Sequence, residues 1–237
     1  HAPPRNGIAF LIAGAAAGFI NALAGGGSAI TIPILTELVG INTANGTNRI
    51  AILLANLTAV AGYQKGDAVP WRRVSVLVIP TVIGAAAGAW LSTVTPPDVL
   101  RRVFAVVLLL VAGSVLIRPA RWLEDRESVL REPWRSTIFL AIGFYGGFVQ
   151  SGVGYILLAG LVLGAGMNLV NGNAAKVVLI AAYSPIAILL FARASQVDLT
   201  VAAVLAAGQM SGAWAGSRLA VLKGASWIRW VLVVAAV

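Results

Sequence analysis

Residues 21–33 read NALAGGGSAITIP, three consecutive glycines and a proline inside an otherwise apolar stretch. The flanks, FLIAGAAAGFI at 10–20 and ILTELVG at 34–40, have the composition of membrane-buried helix. One unbroken helix over the whole run, 7–40, would extend about 50 Å at 1.5 Å per residue, whereas a bilayer core needs only about 20 residues. Two shorter helices meeting at the glycines resolve the length. A second run, 136–167, is too long in the same way and carries its own cluster, Gly152-Val153-Gly154. The remaining apolar stretches, 49–63, 74–94, 99–117, 174–192, 197–217 and 227–237, suit spans of ordinary length or the start of one.

Composition points to the same solvent. Of 237 residues, 59% are hydrophobic and 11% charged, and mean hydropathy is +0.90. A soluble domain carries about 25% charged residues, so this chain has too little polar surface to cover itself in water. The net charge of +9 falls between apolar runs, where membrane topology accounts for it and nucleic-acid binding is not expected. There is no cysteine, and the only histidine is His1. Disulfides, thiol nucleophiles, serine–histidine pairs and histidine-ligated metals are thereby excluded, and no metal or cofactor is expected.

The chain matches itself at an offset of about 127 residues. Gly25 falls on Gly152, Gly27 on Gly154 and Arg49 on Lys176; one further residue of offset aligns Gly84 with Gly212, Gly88 with Gly216 and Arg101 with Arg229. The expected organisation is therefore a first membrane repeat at 1–117, a charged cytoplasmic linker at 118–136 and a second repeat at 137–237. The register also predicts that the last helix continues beyond Val237. The fold class expected is an all-α integral membrane protein, each repeat a glycine-broken helical hairpin plus three transmembrane helices, in inverted topology. The alternative is eight spans arranged as two parallel four-helix repeats. The inverted arrangement collects more of the 17 basic residues on the linker's side, bringing Lys176, Arg218, Lys223 and Arg229 there, as the positive-inside rule favours.

Non-helical backbone at membrane depth persists only where it is buried in protein or lines a wet cavity. Half-helix ends at such a break offer unpaired N–H groups and a dipole that favour an anion. Around the first break lie Asn21, Gly25, Gly26, Gly27, Ser28 and Thr31; around the second, Gln150, Ser151, Gly152, Gly154 and Tyr155. These neutral groups suit an oxyanion that brings its own charge. Pro33 is expected in the first turns after the break, where a missing N–H costs least. After each break a polar knot, NTANGTNRI at 42–50 or NLVNGNAAKV at 168–177, opens the next helix and leads to a cation, Arg49 or Lys176. Asn48 belongs to the first knot. Cations entering membrane helices are functional candidates. Glu37 is the only acid inside an apolar run and the candidate proton relay. The candidate substrate site thus comprises Asn21, Gly25, Gly26, Gly27, Ser28, Asn48, Arg49, Gln150, Ser151, Gly152, Gly154, Tyr155 and Lys176, with no catalytic residue and no enzyme activity expected.

The segments AGFINALAGGGSAITIPIL, NGTNRIAILLANLTAVAGY, VIGAAAGAWLS and PPDVLRRVFAVVLLLVAG resemble the TauE/SafE sulfite exporters. The second repeat departs from the pattern, reading GGFVQSGVGYILLAG with no proline after its break. The resemblance implies a multi-pass transporter of the bacterial plasma membrane that moves sulfite, organosulfonates or similar small oxyanions by alternating access between two repeats. An anion channel of the same architecture, or a carrier of another small organic anion, is the alternative. The expected partners are the anion and the bilayer. The GxxxG pairs Gly14/Gly18 and Gly84/Gly88 fit packing inside one bundle or a homodimer.

Overall fold

The computed structural model describes residues 7–23, 25–114 and 130–234. The linker segment 118–129 and the chain end at 235–237 lie outside the described residues. The described residues form α1 (Gly7–Leu23), α2 (Gly27–Val39), α3 (Ile41–Gln64), α4 (Trp71–Val94), α5 (Pro97–Ser114), α6 (Trp134–Phe148), α7 (Val153–Ala159, extended by a π-helical turn over Gly160–Gly164), α8 (Leu169–Arg193) and α9 (Leu199–Val234). No strand occurs among them. Three helices, Trp71–Val94, Leu169–Arg193 and Leu199–Ile228, are long and apolar enough to cross a membrane, and Phe10–Leu23, Gly27–Val39 and Val153–Gly164 are shorter apolar helices.

Both overlong runs break where the glycines sit. α1 stops at Leu23 and α2 begins at Gly27, with Gly25 at φ +93°. α6 stops at Phe148 and α7 begins at Val153, with Gly152 left-handed at φ +74°. Pro33 lies in the second turn of α2, within the first turns as expected, but there its missing N–H leaves the Ala29 carbonyl without its i+4 donor. α3 begins earlier than the apolar pattern suggested, because the polar knot at 42–50 is itself helical, started by a turn at Gly40 with φ +76°. Within α9, Gly224 (φ +75°) interrupts the helix four residues before the end of its candidate span at Ile228.

Small residues let the backbones approach closely. A Cβ added at Gly18 would overlap the Gln209 backbone, and one at Gly212 would overlap Ala15, so α1 lies tight against α9. Gly84 and Gly88 meet Leu140 and Phe144, while Gly143 and Gly147 meet Thr81 and Ala85, so α4 lies tight against α6. In hydrocarbon, helices associate through such close packing and not through hydrophobic expulsion from water. The glycine pairs seen in the sequence are thus contacts inside one chain, each joining a helix before the linker to one after it. α3 and α8 run antiparallel at the centre: the Asp198 N–H, just past α8, donates to Thr47 Oγ1 near the start of α3, while Tyr63 at its end clusters with Leu169 and Ala174 at the start of α8. Trp71, Trp90 and Trp134, at or near helix ends, are at least half exposed, in keeping with an aromatic belt.

Candidate functional site

The two breaks touch. A Cβ on Gly25 would overlap the Gly154 backbone, a Cβ on Gly154 would overlap Gly25, and a Cβ on Gly26 would run into the Tyr155 hydroxyl. Glycine is required at this crossing because two backbones pass where a side chain would stand, and Gly25 adopts a conformation that other residues avoid. Gly25, Gly26, Gly27, Ser28, Gly152 and Gly154 are all buried, and Tyr155 is partly buried. Gly26 caps the start of α2 without a side-chain hydrogen bond. The first N–H groups of a helix have no partner within it, so the start of α2 turns donors toward the crossing.

Each cation reaches across to the other half of the chain. Lys176 Nζ donates to the Asn21 carbonyl at 2.8 Å, the Ala22 carbonyl at 3.3 Å and Asn173 Oδ1 at 2.6 Å. Those three bonds use every ammonium proton. Arg49 donates to the carbonyls of Gly146 and Gly147 and to Asn45 Oδ1, and its guanidinium lies 4.7 Å from the Phe191 ring centroid. Both side chains are fully buried. Lys176 therefore closes the C-terminal end of α1, and Arg49 that of α6. A cation at a helix C-terminus satisfies carbonyls left open there and opposes the negative end of the dipole. Both candidates thus act here on helix ends adjoining the breaks, with their charge a short distance from the crossing.

A second set of groups is buried without a protein partner: Gln150 Nε2 and Oε1, Ser151 Oγ, Asn48 Nδ2, Gln209 Oε1 and Tyr183 Oη. Gln150 adopts φ +61°, a left-handed conformation uncommon for residues with a side chain. Its neighbourhood is fixed by Tyr145, whose hydroxyl donates to the Ser151 carbonyl. Buried polar atoms are nearly always paired, and strained residues gather at ligand sites. Asn48 Oδ1 accepts from Thr31 Oγ1 at 2.9 Å and from Gln209 Nε2 at 3.4 Å. Asn21 is buried at the end of α1, where its carbonyl meets Lys176.

Gly25 and Gly26 thus meet Gly154 and Tyr155 at the crossing, while Lys176 lies on the end of α1 and Arg49 on the end of α6. Asn48 joins Thr31 in α2, and apart from these stands Glu37. It is exposed on α2, ten residues beyond Gly27 and so about 15 Å along the helix. Sequence reasoning missed Gln209, Asn45, Asn173 and Tyr183. Gln209 carried a signal, an amide in the apolar text AAGQMSGAW, but nothing local marked the side it faces.

A family model described as sulfite exporter TauE/SafE matches residues 10–237. Over 235 residues the chain is 32% identical to a probable membrane transporter protein, ORF9, of Sinorhizobium sp, covering 97% of this chain and 89% of the relative. It is 29% identical over 231 residues to the probable membrane transporter protein YfcA of Escherichia coli K12, covering 96% and 85%. A probable membrane transporter protein of Haemophilus influenzae is 29% identical over 224 residues, covering 93% and 88%. No solved structure matches the chain.

Proposed function

The chain is a membrane transporter belonging to the sulfite exporter TauE/SafE family, and from that premise we propose that it carries small sulfur oxyanions, sulfite or organosulfonates, through a site where the two glycine breaks cross. The observation that carries this reading is the buried contact of the two breaks, one from each half, with a buried cation on the helix end before each and buried polar side chains without protein partners on the same segments. Helix N-termini and amide or hydroxyl donors hold the oxygens. Arg49 and Lys176 supply positive potential through the helix ends they close. An anion stabilised by several neutral donors at a distance from fixed charge can still leave, as a carrier requires.

The two halves form inverted repeats in this reading, with the linker cytoplasmic in a bacterial inner membrane. The antiparallel run of α3 and α8 supports it, as does the exchange of partners, α1 with α9 and α4 with α6. Rocking of one half against the other then exposes the crossing to each side in turn. Uptake by proteoliposomes offered sulfite, sulfate, short sulfonates and short carboxylates tests the proposal. Saturable uptake of a sulfur oxyanion is expected. Flux that rises linearly with concentration would indicate a channel, and absence of flux from folded protein would overturn the reading.

A further inference from the structure

Asn48, Thr31 and Gln209 form a polar cluster beside the first break that has no equivalent beside the second. Thr31 Oγ1 lies 3.4 Å from the Gly27 carbonyl, which fixes the cluster to the first turn of α2. Gln209 is held against α1, since Gly18 leaves no room for even a Cβ beside its backbone. All three side chains are at least 99% buried. At the offset of 127 residues, Thr31 corresponds to Leu158 and Asn48 to Ala175; at 128, Gln209 corresponds to Thr81. Those positions are buried too, but Leu158 and Ala175 are apolar, and the Thr81 hydroxyl donates to the Leu77 carbonyl of its own helix at 2.6 Å. This particular cluster therefore belongs to the first side alone, and the second break carries a different polar pair, Gln150 and Ser151.

The bonding within the cluster defines what it can still take. The Asn48 oxygen accepts from both Thr31 and Gln209, which leaves the Asn48 Nδ2 donor and the Gln209 Oε1 acceptor without protein partners. Exchanging oxygen and nitrogen in both amides does not alter the outcome: either way one amide nitrogen and one amide oxygen are left without a protein partner. An anion whose oxygens only accept satisfies the donor but sets a negative oxygen against the acceptor. A buried site built this way rejects a ligand that leaves one of its polar groups unpaired. The partner that satisfies both has an accepting oxygen beside an O–H. No side chain of the cluster is itself charged; Lys176 is committed to Asn21, Ala22 and Asn173, and Arg49 binds Gly146, Gly147 and Asn45 through its terminal nitrogens, with Nε alone left without a protein partner.

Resting on the transport reading above, we propose that the Asn48–Gln209 pair is the specificity element of the site and selects a singly protonated oxyanion over an anion of the same charge that lacks a donor. The protonated anion donates its O–H to Gln209 Oε1 and accepts from Asn48 Nδ2. The second break, with Gln150 and Ser151, takes the remaining oxygens.

The test uses the full chain in proteoliposomes at one pH below neutral, with two monoanions: hydrogen selenite, whose proton sits on oxygen, and methanesulfonate, which has no donor. Wild-type protein is expected to show a KM for hydrogen selenite about ten-fold below that for methanesulfonate, the size of one hydrogen bond at a buried site. Gln209→Met, similar in volume, is expected to raise the selenite KM to the methanesulfonate level and leave the methanesulfonate KM within about two-fold. Equal KM values in the wild type, which needs no variant to fold, would overturn the proposal while leaving transport standing. An equal change for both anions in Gln209→Met would also overturn it. Flux of neither anion, with sulfite also excluded, would bring down the transport reading itself.

Discussion

Lys176 Nζ donates to the backbone carbonyl of Asn21, a residue 155 positions earlier, at 2.8 Å. Arg49 makes the reverse connection to Gly146 and Gly147. Each half of the chain thus closes a helix end that belongs to the other, and closes it beside the break where the two backbones cross. The cations thus join the two halves at the helix ends beside the breaks.

Removing either cation is expected to cost stability as well as transport. Lys176→Met takes the ammonium from the Asn21 carbonyl and Asn173 Oδ1 in a buried place, while the Ala22 carbonyl keeps the Tyr63 hydroxyl, and each unpaired group costs about 1–3 kcal/mol. Thermal melting in detergent should show a clear fall for Lys176→Met and Arg49→Ala, with Lys176→Arg intermediate. A melt unchanged by Lys176→Met, with flux alone lost, would mean that the ammonium serves the substrate and not the helix.

The glycines of the crossing should separate sharply from other left-handed glycines. Gly40, at φ +76° and ψ +159° in a region that glycine alone adopts readily, has open space around its missing Cβ, so Gly40→Ala bears only a conformational cost of about 1–3 kcal/mol. Gly25→Ala adds a collision with the Gly154 backbone, an overpacking cost of about 1–3 kcal/mol more. Expression, melting and uptake of the two variants compare them directly. Equal behaviour would mean that the breaks do not need to touch.

Gln150→Leu should move stability and function in opposite directions. Both polar atoms of the Gln150 side chain are buried without a protein partner, so replacing the amide with an apolar group relieves an unfavourable burial. The melting temperature is expected to hold or rise by the equivalent of about 1 kcal/mol, while uptake falls at least ten-fold. A variant that transports normally would remove Gln150 from the site.

A cysteine-free chain is a clean background for mapping sidedness. Lys65, after α3, and Arg193, at the end of α8, are both exposed. Inverted halves place them on opposite faces of the membrane and parallel halves on the same face. Single cysteines at these positions, probed with an impermeant thiol reagent in intact and permeabilised cells, are expected to label from opposite sides.

Much of the fold was legible because lipid imposes length: an apolar run too long for one span and interrupted by glycine has few solutions. The breaks at Gly25 and Gly152 followed from that alone, and the polar knots announced Arg49 and Lys176. Their acceptors were not legible, because nothing near Lys176 in sequence indicates that Asn21 lies beside it. Gln209 was hidden for the same reason, since its partner Asn48 is 161 residues away. Periodicity and composition describe a segment's own surroundings; the site is made where distant segments cross.

The most direct test of the account locates the anion. Crystals of the protein grown with selenite, measured at the selenium edge, would show where the anion sits by anomalous scattering. The account predicts one strong peak at the crossing of the breaks, within hydrogen-bond reach of Asn48 and Gln150 and absent from Gln150→Leu crystals. A peak confined to another part of the molecule, in protein that transports selenite saturably, would contradict it.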